Sequence, residues 1–159
     1  MKLVNRLTVH GAISSFKMYM ELMNSCMHKT AEELGISGRE AHILISLSDN
    51  PTVDTASEMA RLGGVSKAYV SRGVESLIEK GLVEAVKDEN DGRMQHLKLL
   101  PESEKYTVVL VNTGLEIINR LLDGTTADER KKTADLFDKM TENAVRIRKN
   151  QKLRKEETL

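Results

Sequence analysis

Residues 65–83 read Val65-Ser66-Lys67-Ala68-Tyr69-Val70-Ser71-Arg72-Gly73-Val74-Glu75-Ser76-Leu77-Ile78-Glu79-Lys80-Gly81-Leu82-Val83. Ser66 offers a side-chain oxygen to the free amides of a helix start, and Gly81 supplies the stop. Between them Val70, Val74, Leu77 and Ile78 form one apolar face, while Ala68, Arg72, Ser76 and Glu79 fall opposite and Tyr69 sits at the flank. Past Gly81 the period becomes alternating. Leu82 to Lys87 and Met94 to Leu99 read as two short strands, with Gln95, Leu97 and Leu99 on one face. Asp88-Glu89-Asn90-Asp91-Gly92-Arg93 joins them, and its Asp-Gly step is a strong hairpin signal.

Upstream, Thr55-Ala56-Ser57-Glu58 is a capping box that opens a short helix ending at Gly63-Gly64. Ser37-Gly38-Arg39-Glu40 is another, opening a helix to about Leu47 that Asp49-Asn50-Pro51 closes. Before it, Val9, Ile13, Phe16, Met20, Met23, Met27, Ala31 and Leu34 recur at helical steps, so a long helix is expected from about Leu7 to Leu34. Ala12, Tyr19, Leu22 and Cys26 widen that stripe enough to pack against more than one neighbour. Downstream, Pro101 suits the first turn of a helix whose stripe is Val108, Val111, Leu115, Ile118 and Leu122. Thr126-Ala127-Asp128-Glu129 opens a last helix with Phe137, Met140, Ala144 and Ile147 on one face.

The expected fold is therefore mainly α with a small β-hairpin. A short helix, a three-residue turn, an exposed polar helix and a hairpin follow one another, which is the plan of a winged helix–turn–helix. With 159 residues and no composition break, one domain is expected over 1–159. The single cysteine, Cys26, excludes an internal disulfide and a cysteine-based zinc framework. No apolar run approaches the ~20 residues of a membrane span, and no signal-peptide core is present, so no membrane association and a cytoplasmic location are expected.

Net charge is zero, with 24 basic and 24 acidic residues, so any nucleic-acid contact needs a local basic surface. Two stretches qualify. Met59 to Val74 holds Arg61, Lys67 and Arg72 and no acid. Arg146, Arg148, Lys149, Lys152, Arg154 and Lys155 crowd the C-terminus, where a solvated helix end is the first reading and a DNA-binding tail the alternative.

In a helix–turn–helix the second helix enters the major groove led by its N-terminal residues. Ser66 can present a hydroxyl and a helix N-terminus to phosphate, although it caps its helix in any case. Lys67 supplies a mobile charge, Arg72 a fork able to reach guanine O6 and N7, and Tyr69 and Ser71 hydrogen-bonding groups. Arg93, beside the hairpin tip, suits a narrow minor groove. Taken singly, these are ordinary surface charges, and Asp91 with Arg93 a local ion pair of little energetic value. Their conjunction on one helix front and the hairpin behind it favours DNA.

The stretch quoted above resembles the recognition helix of the MarR (multiple antibiotic resistance regulator) family. The tip Asp88-Glu89-Asn90-Asp91-Gly92-Arg93 is similar to that family's Asp-x-x-Asp-x-Arg wing, and Thr126-Ala127-Asp128-Glu129-Arg130 to the start of its last helix. The resemblance spans about residues 8 to 148. It implies a homodimer joined by helices within 1–35 and 101–150, with a winged helix–turn–helix lobe over 36–100 reading a pseudo-palindromic double-stranded operator. It implies that Ser66, Lys67, Ala68, Tyr69, Ser71 and Arg72 face the major groove and that Asp91 orients Arg93 into the minor groove. The function it implies is transcription regulation, as a repressor of nearby genes relieved by a small effector. Gly92 and Leu100 depart from the family pattern, which often has a basic residue and a Thr there. Together with the acids Asp88, Glu89 and Asp91, they predict a weaker wing contribution to affinity.

Relatives release DNA when a small ligand binds where the dimer helices meet the lobe, which makes Met23, Met27 and His42 candidate pocket residues. Flexible thioethers can line an adaptable pocket, although a methionine stripe is more often plain core or dimer seam. A redox-sensing regulator acting through Cys26 is an alternative, but the surrounding Leu22, Met23 and Met27 favour an inert packed thiol. His42 matches a position of zinc-responsive relatives, yet Tyr106 to Leu122 holds no histidine to complete such a site, so no metal and no cofactor is expected. An enzyme is not expected either, since the sequence carries no glycine-rich phosphate loop, nucleophile elbow or His-Glu-x-x-His. A winged-helix protein-interaction module is the stronger rival, because fold does not fix function.

Overall fold

The computed structural model describes residues 8–50, 52–89, 91 and 93–156. Helix α1 spans Val9–Glu33, α2 Gly38–Asp49, α3 Ala56–Gly63 and α4 Lys67–Glu79. Strands β1, Val83–Lys87, and β2, Gln95–Leu99, form one antiparallel hairpin. A single 3-10 turn at Pro101–Ser103 leads into α5, Glu104–Leu121, and α6 covers Ala127–Glu156. Two compact units result, the first ending at Ile117 and the second starting at Ile118. Among the described residues no helix is long and apolar enough to cross a membrane.

The expected caps set the helix starts. Ser37 accepts from the Glu40 amide at 3.3 Å while the Glu40 carboxylate accepts from the Ser37 amide at 2.6 Å, a reciprocal box. Thr126 and Glu129 repeat it, and both hydrogen bonds from Thr126 hold the Glu129 carboxyl below its ordinary pKa. At Thr55 the hydroxyl accepts from the Glu58 amide and donates to the Glu58 carboxylate. Between α3 and α4 the turn passes through Gly64 at φ +65, a left-handed position that side chains with a Cβ rarely adopt.

The core of the first unit forms where α2, α4 and the hairpin meet, with Ile43, Leu44, Val70, Leu77, Val83 and Leu110 nearly inaccessible. In the hairpin Val83 pairs with Leu99 and Val86 with His96. On β2, Leu97 is buried, Leu99 half-buried and Gln95 exposed, so the expected shared face dips into the core only towards its C-terminal end. A third segment borders β2, because the Leu97 amide donates to the Asp54 carbonyl at 2.7 Å.

Three expected stripes meet the chain's own core only in part. On α4, Ile78 is 42% exposed, whereas Gly73 is buried and Ser76 half-buried. At about 100° per residue Ile78 points roughly 80° away from Val70, off the side that α2 covers. On α5 the buried residues are Thr107, Leu110 and Ile117, while Val108, Leu115 and Ile118 of the expected stripe are exposed. On α1, Ala31 is buried and Met27 and Leu34 pack on the core, but Ile13, Phe16 and Met20 are exposed. Helical period locates a stripe without saying whether the chain's own core covers it.

In the second unit, α6 likewise presents Phe137, Met140 and Ile147 at the surface. The corner before α6 is held by Arg130, whose guanidinium donates to the Thr125 hydroxyl, the Asn119 side-chain carbonyl and the Leu122 carbonyl at 3.1–3.2 Å.

Candidate nucleic-acid interface

Helix α4 is built with one face to the core and one to solvent. Val70, Gly73, Val74 and Leu77 anchor it. Ser66, Lys67, Ala68 and Arg72 are exposed, and Tyr69 and Ser71 half-buried. The Ser66 hydroxyl oxygen accepts from the Tyr69 amide at 3.1 Å, which leaves its own hydrogen free to be donated outward. Helices α2, α3, α5 and α6 each carry an acid in their first turn, namely Glu40, Glu58, Glu104 and the pair Asp128 and Glu129. Helix α4 carries none there. Its positive end is therefore left uncompensated by a neighbouring carboxylate of its own turn, an arrangement suited to a bound anion.

The wing tip is held by its acids. The Asp91 amide donates to Asp88 Oδ1 at 2.7 Å, and the Arg93 amide donates to Asp91 Oδ1 at 3.0 Å. Asp91 thus meets Arg93 through the backbone, and both side chains are exposed at the tip. Gly92 and Asn90 lie outside the described residues. At the wing base His96 bridges two carboxylates, Asp54 at 2.8 Å through Nδ1 and Asp88 at 3.0 Å through Nε2. The hydrogen bond with Asp54, then that with Asp88, raises the His96 pKa above its ordinary value. Asp88, read from sequence as one more negative charge at the tip, is instead tied back to a histidine at the wing base.

Two further groups support α4, and sequence reasoning foresaw neither of their contacts with it. Glu40, 3% exposed, accepts from the Ser76 hydroxyl at 2.9 Å and pairs with Lys80 Nζ at 2.7 Å. Burial alone would push its carboxyl up, but Lys80, Ser37 and Ser76 together bring it down to about 2. The capping box was legible, whereas its reach across to α4 was not. The second group is Arg39, whose stem lies over Gly73 and whose guanidinium carbon stands 4.6 Å from the centre of the Tyr69 ring. A Cβ at position 73 would meet the Ile43 side-chain end and come within 2.9 Å of Arg39 Cγ, so α2 and α4 approach this closely only over a glycine.

Of the candidate pocket residues, Met23 is half-buried, Met27 packs on the core, and His42 lies against Gly63 of α3. Burial lowers the His42 pKa. Cys26 is half-buried and unpaired with any sulfur.

A three-helix lobe, a polar helix reached through a tight glycine turn and a hairpin behind it define a winged helix–turn–helix protein. Residues 34–94 match the model of the MarR family. Over 62 residues the chain is 37% identical to the transcriptional regulator AdcR of Streptococcus pneumoniae serotype 2 (strain D39 / NCTC 7466). That match takes in 39% of this chain and 41% of AdcR, well under half of the curated relative's length. Among solved structures, a MarR-family regulator from Silicibacter pomeroyi superposes with a TM-score of 0.74 at 23% identity, over 86% of this chain and 92% of that one. A structure of MarR gives 0.72 at 20% identity, over 93% and 98%. A putative MarR-family regulator from Listeria monocytogenes, complexed with 26mer DNA, gives 0.72 at 14% identity, over 82% and 87%. The mainly helical fold with its two-stranded hairpin is the one these structures share, and the family is one of transcription regulators, not of enzymes.

Proposed function

We propose that the protein is a homodimeric, sequence-specific regulator of transcription that binds a pseudo-palindromic DNA duplex in the cytoplasm. In this reading 1–159 forms one MarR-like domain, with 36–100 as the DNA-binding lobe and helices within 1–35 and 101–150 as the dimerisation surface. Ser66, Lys67, Ala68, Tyr69, Ser71 and Arg72 face the major groove, and Arg93, steadied by Asp91, enters the minor groove. One observation carries the reading: α4 alone among α2 to α6 begins without an acid, and its exposed front bears Lys67 and Arg72.

The exposed apolar residues of α1, α5 and α6 support pairing of two chains, since rows of this kind mark interaction surfaces. The output is repression of nearby genes, relieved when a small effector occupies a site that includes Met23, Met27 and His42. The resemblance to the family supports this part. A protein-docking helix would present large apolar anchors where α4 presents Lys67, Ala68 and Arg72, which disfavours the interaction module.

Selection of bound duplexes from a random pool, followed by titration at two salt concentrations, tests the reading. Affinity that falls steeply with salt and a selected site with two-fold symmetry are expected. No binding to any duplex at low salt overturns it. Within the selected site, Arg72→Ala is expected to cost about 1–3 kcal/mol and to relax base preference at one position per half-site. An unchanged preference would place the reading face elsewhere.

A further inference from the structure

We propose that Arg39, carried by α2 rather than by the reading helix, is a phosphate-gripping residue of the DNA interface, its guanidinium stacked on Tyr69 and donating to the backbone beside the bases that α4 reads. The proposal rests on the DNA-binding reading given above and adds to it a residue from outside the helix–turn–helix.

Three observations converge on Arg39. Its stem runs over Gly73, with Cγ and Cδ at 2.9 and 3.0 Å from where a Cβ would stand, so the surface of α4 is relieved at the one place that lets this side chain pass. Its guanidinium then ends over Tyr69, at the third residue of α4, with the ring centre 4.6 Å away. Among the described residues no carboxylate meets it. The adjacent acid, Glu40, is fully engaged with Ser37, Ser76 and Lys80, and Arg39 Nε is buried without a hydrogen-bond partner.

With Nε buried without an acceptor and no counter-charge at hand, the guanidinium is a poor stabilising device for the free protein. A stem of the same length ending in an apolar group would fill the same groove more cheaply. Stacking on an aromatic face leaves the outer edge of the fork open, and that edge matches the oxygens of a phosphate. Lys67 and the free end of α4 lie within the same first turn as Tyr69, so an anion reaching Arg39 there meets like-acting groups rather than acids.

The test uses the full-length protein and fluorescence anisotropy on the selected duplex across a salt series, for the wild type, Arg39→Gln and Arg39→Lys. Arg39→Gln is expected to bind about tenfold more weakly at low salt and to flatten the dependence of log K on log salt by about one for each bound chain, without changing base preference. Arg39→Lys keeps the charge, so it is expected to retain the wild-type slope. An Arg39→Gln variant with the wild-type slope overturns the proposal. So does an Arg39→Lys variant that loses the slope, because a purely structural role would respond to the loss of the planar stack in both. Should Arg39→Gln fail to fold, Arg39→Lys alone decides by the same criterion. Failure of the wild type to bind any duplex would instead bring down the DNA-binding reading itself, and this proposal with it.

Discussion

The lobe around α4 and the long terminal helices use the same alphabet of apolar positions at helical spacing, but they spend it differently. In the lobe, Val70, Val74 and Leu77 each meet side chains of the same chain, and even the polar residues between them are tied across helices, as Ser76 is to Glu40. On α5, Val108, Leu115 and Ile118 repeat at similar steps and stay at the surface. Spacing therefore reports an apolar face, and says nothing about whether the chain's own core covers it.

A matched pair of truncations probes that contrast most strongly. Leu77→Ala opens a cavity in a fully buried site and is expected to lower unfolding stability by about 3–4 kcal/mol at any protein concentration. Leu115→Ala removes the same atoms from an exposed position and is expected to matter only through association. Under the proposed pairing, sedimentation should show weaker self-association, while denaturation at high dilution should differ from wild type by less than about 0.5 kcal/mol. Equal losses at high dilution would mean that the α5 stripe is covered within the chain.

The next probe concerns the polar tie inside the lobe. Glu40 has a folded-state pKa of about 2 against an ordinary 4.5. A carboxylate lowered in this way stabilises the fold above its ordinary pKa, and that stabilisation drains away as pH falls from about 4.5 towards about 2. Lys80→Met is expected to cost about 2–3 kcal/mol near neutrality, and the gap from wild type should close on acidification across that window, followed by denaturant unfolding at a series of pH values. A gap that stays constant would show that Lys80 acts by packing its stem.

The smallest expected effect lies at the wing. His96 is raised by Asp54 and Asp88, so its contribution is complete below the ordinary histidine pKa and fades as pH climbs through the higher folded-state value. Melting temperatures of wild type and His96→Gln should converge on the alkaline side and separate on the acidic side. Convergence in the opposite direction would mean that the imidazole is neutral when it bridges the two acids.

Much of the lobe was legible from residues alone, because its signals are local. Ser37 with Glu40, Thr55 with Glu58 and Ser66 before α4 announce helix starts within four residues of themselves. The hairpin was equally legible from its alternation. Illegible were the contacts made across the fold. The partners Ser76 and Glu40 lie 36 positions apart, and His96 and Asp54 lie 42 apart. No short-range pattern marks such pairs. Gly73 shows the same limit: read in sequence it is a mild helix weakener, and only the passage of Arg39 and Ile43 over it reveals a close approach of two helices. The exposed front of α4 was read correctly as a surface, with Ser76 and Ile78 exchanged, because a helix axis can rotate against its neighbours without altering its period.

Asp54 holds β2 twice, through its carbonyl to the Leu97 amide and through its carboxylate to His96, and it stands immediately before Thr55, the cap of α3. The hairpin is thereby hinged onto the doorstep of the helix pair instead of dangling from the end of α4. The wing base and the first turn of α3 therefore share one anchoring residue, and a substitution at Asp54 would loosen both together.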